Sequence, residues 1–238
     1  MGKKNELVKV EPGTLPILQG ESVAAALQAN LGGLELTAND LERIKVPSSG
    51  STMWTYETLE GECSEKQIVG VIIYHKLVRL YWAKKIDEGG SGQPPDCHCD
   101  NGINPVGVGS PGGKCIVCPH AQFGSAAKGG GQACQQRWAL FMALPWSRIP
   151  VLLSAPPTSL APIKRYMLRL SSNGVPYWSV LTTLALDVKQ NAAGIKYASI
   201  VPSMVERIEG EARERFRKLN EELAPLFSTI AVEGTPGE

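Results

Sequence analysis

The chain has 238 residues, with 24 Lys and Arg against 23 Asp and Glu, 43% hydrophobic residues and 20% charged ones. That length supplies one large domain or two small ones with a sizeable core. The balanced charge and the apolar fraction argue against a polyelectrolyte tail or a disordered chain. The apolar run 68–74 is far too short to cross a bilayer, and no apolar stretch follows Lys3 and Lys4 as a secretory signal would require. The expected setting is the cytoplasm, where six cysteines point to metal or free thiols rather than disulfides.

In chain order, residues 1–45 read as a polar leader with short helices over 21–30 and 37–44, the second started by Thr37 and Asp40. A domain is expected over 46–204. Within it, 52–59 alternates as a strand, and 67–82 is rich in β-branched and aromatic residues, as one long strand or two joined by a bend. Residues 89–131 hold 12 of the 25 glycines and 5 of the 17 prolines. No helix or strand runs far through that composition, so an insert at about 89–135 needs a staple. Strands are expected over 137–144 and 150–154. A helix over 158–172 follows, with Thr158 as N-cap and Gly174 to end it. Stretches 175–188 and 194–201 read as a hairpin. Ile208, Ala212, Phe216, Leu219, Leu223 and Leu226 recur at helical spacing and predict a terminal amphipathic helix over 205–228, with 229–238 as a flexible tail. The order predicts a mainly β, α+β chain: an OB-fold-like five-stranded barrel with a zinc-ribbon-like insert and a long C-terminal helix.

Five cysteines crowd the insert. Cys115 and Cys118 are spaced as the tight turn that brings two thiolates to one ion, and Cys97 and Cys134 flank them at similar distances along the chain. A closed tetrahedral thiolate site suits structural zinc, whose binding energy becomes folding energy for a glycine-rich segment. Cys97, Cys115, Cys118 and Cys134 are the first-choice ligands, with Cys99 or His120 as substitutes. An iron–sulfur cluster also takes four thiolates. Cys63 is remote and reads as an ordinary buried thiol.

The charge is unevenly spread. Between Asp100 and Asp187 lie 86 residues without one Asp or Glu, holding seven basic residues, and the rest of the chain carries 17 basic and all 23 acidic groups. Such a division suggests a polyanion-binding face. Single strands are held by cations that track phosphates and by aromatic faces on which bases stack. The stacking candidates are Trp54, Tyr56, Trp82 and Trp146. The phosphate candidates are Arg79, Lys114, Lys128, Arg137, Arg148, Lys164 and Arg165. An enzyme is not expected: GxSxG, Walker and HExxH patterns are missing, and His75 reads as a packing or surface residue.

The segments Pro94-Pro95-Asp96-Cys97, Asp100-Asn101-Gly102, Cys115-x-x-Cys118-Pro119, Phe123-Gly124-Ser125 and Ala133-Cys134 resemble an uncharacterised Cys-rich family of phage, prophage and integrative-element proteins. Pro156-Pro157-Thr158-Ser159 and Lys164-x-Tyr166 continue the match, which spans about residues 30–220. Cys99 stands where that pattern usually has Ser. The resemblance implies a mobile element in a bacterial host cell, often near replication or recombination functions. A zinc ribbon inserted into an OB-fold is also similar to the zinc-bearing domain of the replication protein A large subunit. The expected function is therefore sequence-independent binding of single-stranded DNA, or of RNA, in phage replication or recombination, with structural zinc. The alternative is a zinc-stapled structural or protein-interaction module that docks or self-associates through the terminal helix.

Overall fold

The computed structural model describes residues 10–18, 29–30, 32, 40–47, 50–84, 94–100, 105–127, 130–190, 194 and 196–229. Its strands are β1 (Arg43–Ile44), β2 (Trp54–Thr58), β3 (Gly61–Glu65), β4 (Gln67–Tyr81), β5 (Cys97–Cys99), β6 (Val106–Gly109), β7 (Gly113–Lys114), β8 (Gln135–Ala143) and β9 (Val151–Ala155). Helix α1 (Leu160–Ser172), strands β10 (Val180–Gln190) and β11 (Lys196–Arg207), and helix α2 (Gly210–Thr229) complete the chain.

The β-branched run becomes β4, the axis of a nine-stranded sheet. One edge of β4 pairs antiparallel with β8, from Val71 opposite Ala143 to Leu80 opposite Gln135. The other edge carries two partners in succession: β10 beside residues 67–70, then β5 beside residues 79–81. Beyond β8 come β9 and the parallel β1, beyond β10 comes β11, and beyond β5 come β6 and β7. A bulge between Ile72 and Tyr74 puts Ile73 and Tyr74 on the same face, where both join one apolar cluster.

Both faces of this sheet are covered, which is why β4 is apolar on both sides rather than alternating. The first face packs Ile68, Ile72, Leu140, Met142 and Leu153 against Ile163 of α1 and against Trp54 and Tyr56 of the β2–β3 hairpin. The second packs Val71, Ile73, Val78, Leu80 and Phe141 against Phe216 and Phe227 of α2, with Leu15, Ile17 and Leu41 from the N-terminal stretch.

Among the described residues the chain is mainly β with two flanking helices, and no barrel closes. The sheet ends on β1 at one side and on β7 and β11 at the other, and the β2–β3 hairpin forms a sheet of its own. The leader is not simply polar either, since Leu15, Ile17 and Leu41 are buried and Arg43 and Ile44 form a strand rather than the end of a helix. Most of the expected helix over 21–30 and the expected tail lie outside the described residues.

Two helix starts differ from expectation. A single 3-10 turn, Pro157–Ser159, precedes α1, and Ser159 stands at the N-cap. Its Oγ accepts from the Ile200 N–H instead of capping, so the helix start is stitched to β11. Gly174 does end α1, at φ +64°. The terminal helix begins at Gly210 because residues up to Arg207 stay in β11, paired as far as Val180 opposite Arg207. Ile208 and Phe216 are buried as expected of the apolar stripe, whereas Leu226 is exposed.

Candidate metal centre and basic surface

Strand β5 starts the site. Residues two apart on a strand share a face, so Cys97 and Cys99 point together and His98 points away, near Asp100. Their cross-strand partners Tyr81 and Arg79 lie on that same face, which continues through Leu77 and His75 to the side covered by α1. Cys115 and Cys118 come from the turn after β7, whose Cys118 N–H bonds the Cys115 carbonyl at 3.3 Å. Cys134 immediately precedes β8, and its N–H bonds the His120 carbonyl at 2.7 Å.

Three loops therefore bring five thiols to one patch. Burial first, then the neighbouring Cys99 and Cys134, pushes the Cys115 thiol up to about 12. Burial likewise pushes Cys134 up to about 11, opposed by Arg79 and reinforced by Cys97 and Cys118. Cys134 thus adjoins Cys97, Cys115 and Cys118, the three other first-choice ligands, while Cys99 adjoins Cys115 and Lys76. Gly107 is part of the enclosure, because a Cβ there would stand 2.7 Å from Cys97 Sγ.

The donor chemistry suits a thiophilic cation. Burial holds the Cys115 and Cys134 thiols neutral at high pKa, and a dication is the partner that makes thiolates favourable there. Arg79 supports this fit: its charge acts on the Cys134 thiol, and its Nη1 is buried without a hydrogen-bond partner. A buried guanidinium beside neutral thiols lacks the negative charge that tetrathiolate zinc would present. As the side chains are set, no group of three or more His, Cys, Asp or Glu among the described residues is placed to hold an ion. His120 turns its ring onto Tyr81, with centroids 4.3 Å apart, and contributes to the patch through its backbone. Cys63 is half-buried on β3, remote from the patch as expected but not fully buried.

The structure divides the nucleic-acid candidates. Trp54 is 0% exposed and donates its Nε1–H to the Leu184 carbonyl at 2.9 Å, so it is core and presents no face to a base. Tyr56 is buried and stacks on Trp146 at 4.1 Å and 9°, so these two rings cover each other. Trp82 is half-buried against the α2 side of the core. Arg137, 0% exposed, bonds Gln135 Oε1 through Nη2, and Arg79 belongs to the thiol patch; neither reaches a phosphate. Alternation groups Trp54 with Tyr56 correctly, but the side they share packs onto the large sheet and is not open to solvent. Lys128 lies outside the described residues.

Lys114, Arg148, Lys164 and Arg165 are exposed, as is Arg169 on the same helix as the last two. The ion pairs from Lys76 and His98 to Asp100, and from Arg217 to Glu214 and Glu221, involve none of Lys114, Lys164, Arg165 and Arg169. Lys164 also rims a groove of about 340 Å³ between α1 and the sheet, floored by His75, Trp138 and Tyr177. Sequence reasoning missed the tip of the insert. Ile116, Val117 and Phe123 are 78%, 74% and 83% exposed. The available signal was two apolar residues inside the Cys-x-x-Cys turn, where no core could cover them.

His75 is a packing residue, as expected. Its Nδ1 accepts from Trp138 Nε1–H at 3.1 Å, and Tyr177 meets it edge-on at 4.6 Å. Burial lowers its pKa from 6.5 to about 4, so it is neutral in the fold. An unfolded chain takes up a proton there below about pH 6.5 and the folded one does not. Stability should therefore be intact above that pH and fall by about 3 kcal/mol as the pH drops toward 4. Denaturant titrations at stepped pH check this, and His75→Gln should remove that part of the acid sensitivity.

No helix of the described residues is long and apolar enough to cross a membrane. Comparison with known proteins gives no matching family model, no matching curated protein and no matching solved structure.

Proposed function

We propose that this chain binds single-stranded nucleic acid, DNA first, without sequence preference, and that Cys97, Cys115, Cys118 and Cys134 hold a structural zinc ion that orders its insert. The observation that carries the reading is the surface distribution of charge. Across 86 residues without a carboxylate, Lys114, Arg148, Lys164, Arg165 and Arg169 all face solvent. Phosphates are attracted by such a surface and meet no carboxylate within the segment. Bound zinc supplies a cross-link between three loops and no reaction step. Arg79 balances the thiolates, Gly107 leaves room for Cys97 Sγ, and the turn at Cys115 presents its pair. A role in the replication or recombination of a phage or mobile element follows the family resemblance.

Labelled oligo(dT) titrated at two or more salt concentrations tests the reading. Binding should weaken steeply with salt, and Lys164→Glu combined with Arg165→Glu should lower affinity and flatten the slope of log affinity against log salt by roughly 1 to 2. Lys218→Glu, on the carboxylate-rich α2, should change little. Unshifted oligonucleotide at micromolar protein in low salt overturns the reading in favour of an interaction module.

A further inference from the structure

We infer that the exposed tip of the cysteine insert, Ile116, Val117 and Phe123, is a base-stacking contact for the single strand, an inference that rests on the function proposed above. Large apolar side chains this exposed cost solvation unless a partner covers them. Here they stand on two adjoining turns that are tied together. Gln122 Nε2 donates to the Ile116 carbonyl at 3.2 Å and to the Cys118 carbonyl at 3.3 Å, binding the Phe123 turn to the cysteine turn. Gly124 N–H bonds the Gly131 carbonyl at 2.9 Å, and Ser125 Oγ bonds the carbonyls of His120 and Gln122 while accepting from Ala133 N–H. The ring and the two aliphatic side chains are thus presented on a fixed platform, so little ordering cost remains when a partner arrives.

Charge selects the partner. Exposed Lys114 immediately precedes the cysteine turn, and the segment around the tip contains no Asp or Glu. A planar ring flanked by aliphatic groups and a cation matches an unstacked base and its phosphate, the combination by which single strands are held. Zinc at the thiols beneath would fix the turn from which Ile116 and Val117 project.

The test is oligo(dT) titration of the full chain. Phe123→Ala should weaken binding roughly tenfold with the salt slope nearly unchanged, because stacking releases no counterions. Phe123→Trp should keep the affinity and add fluorescence that oligo(dT) quenches. Lys114→Ala should flatten the slope by about 0.7. Both positions are exposed, so thermal melting should stay at the wild-type value. If wild type binds but Phe123→Ala and an Ile116→Ser, Val117→Ser double variant bind equally well, the tip inference fails while the nucleic-acid function stands. If wild type does not bind, both fall.

Discussion

Purified chain is expected to carry about one tightly held zinc ion, and Cys134→Ser or Cys118→Ser to lose it and to become open to protease between β4 and β8. Apparent binding energies of structural thiolate zinc are on the order of 10 kcal/mol, larger than the whole stability of many domains. The insert has little else to order it, since its strands are three, four and two residues long. Cys134 is the most informative position because it adjoins Cys97, Cys115 and Cys118. Cys99→Ser should keep the ion, since its thiol stands beside Cys115 rather than Cys134. Elemental analysis of wild type and variants decides the matter. Wild type without metal, or with iron and visible absorption, would overturn the zinc assignment.

The second large effect is expected at Trp54. Trp54→Ala should destabilise the fold by about 3–5 kcal/mol, the cost of emptying a fully buried aromatic site. It also leaves the Leu184 carbonyl without the indole donor it now has at 2.9 Å. Chemical denaturation measures this loss, and the folded variant should bind oligonucleotide like wild type. A stable Trp54→Ala protein with weakened binding would mean that Trp54 faces the ligand and not the core.

How much of this was legible varies with the physics of each segment. Strand β4 was plain, because eight β-branched or aromatic residues in one stretch suit few other environments. Strand β3 was not: Gly-Glu-Cys-Ser-Glu carries no apolar alternation and becomes a strand through pairing with β2. Val205 to Arg207 fit a helical stripe, yet pairing with β10 holds them extended, a tertiary contact that no local pattern records. The grouping of Trp54 with Tyr56 was readable, but not which side was wet. Alternation separates two faces and does not say that each is covered by something distant in sequence. For the cysteines, the spacing pointed to one patch, and only the strand geometry of β5 shows that Cys97 and Cys99 both face it. The role of Arg79 was out of reach for the same reason, since it depends on the register that sets it opposite Cys99.

The divided edge of β4 bears on how the chain is made. Its first four residues find their β10 partners only once residues 182–185 have been synthesised, and the Trp54 indole waits for Leu184, 130 positions downstream. Until then a nascent chain displays an apolar strand with an open edge, the kind of surface on which chains misassociate. The stretch between holds the insert, whose cysteines all precede β8. A metal captured there would tie residues 97–134 into a small closed unit early and shorten the loop that β4 and β8 must close to pair. In that order of events the ion helps the sheet assemble from a site outside its core.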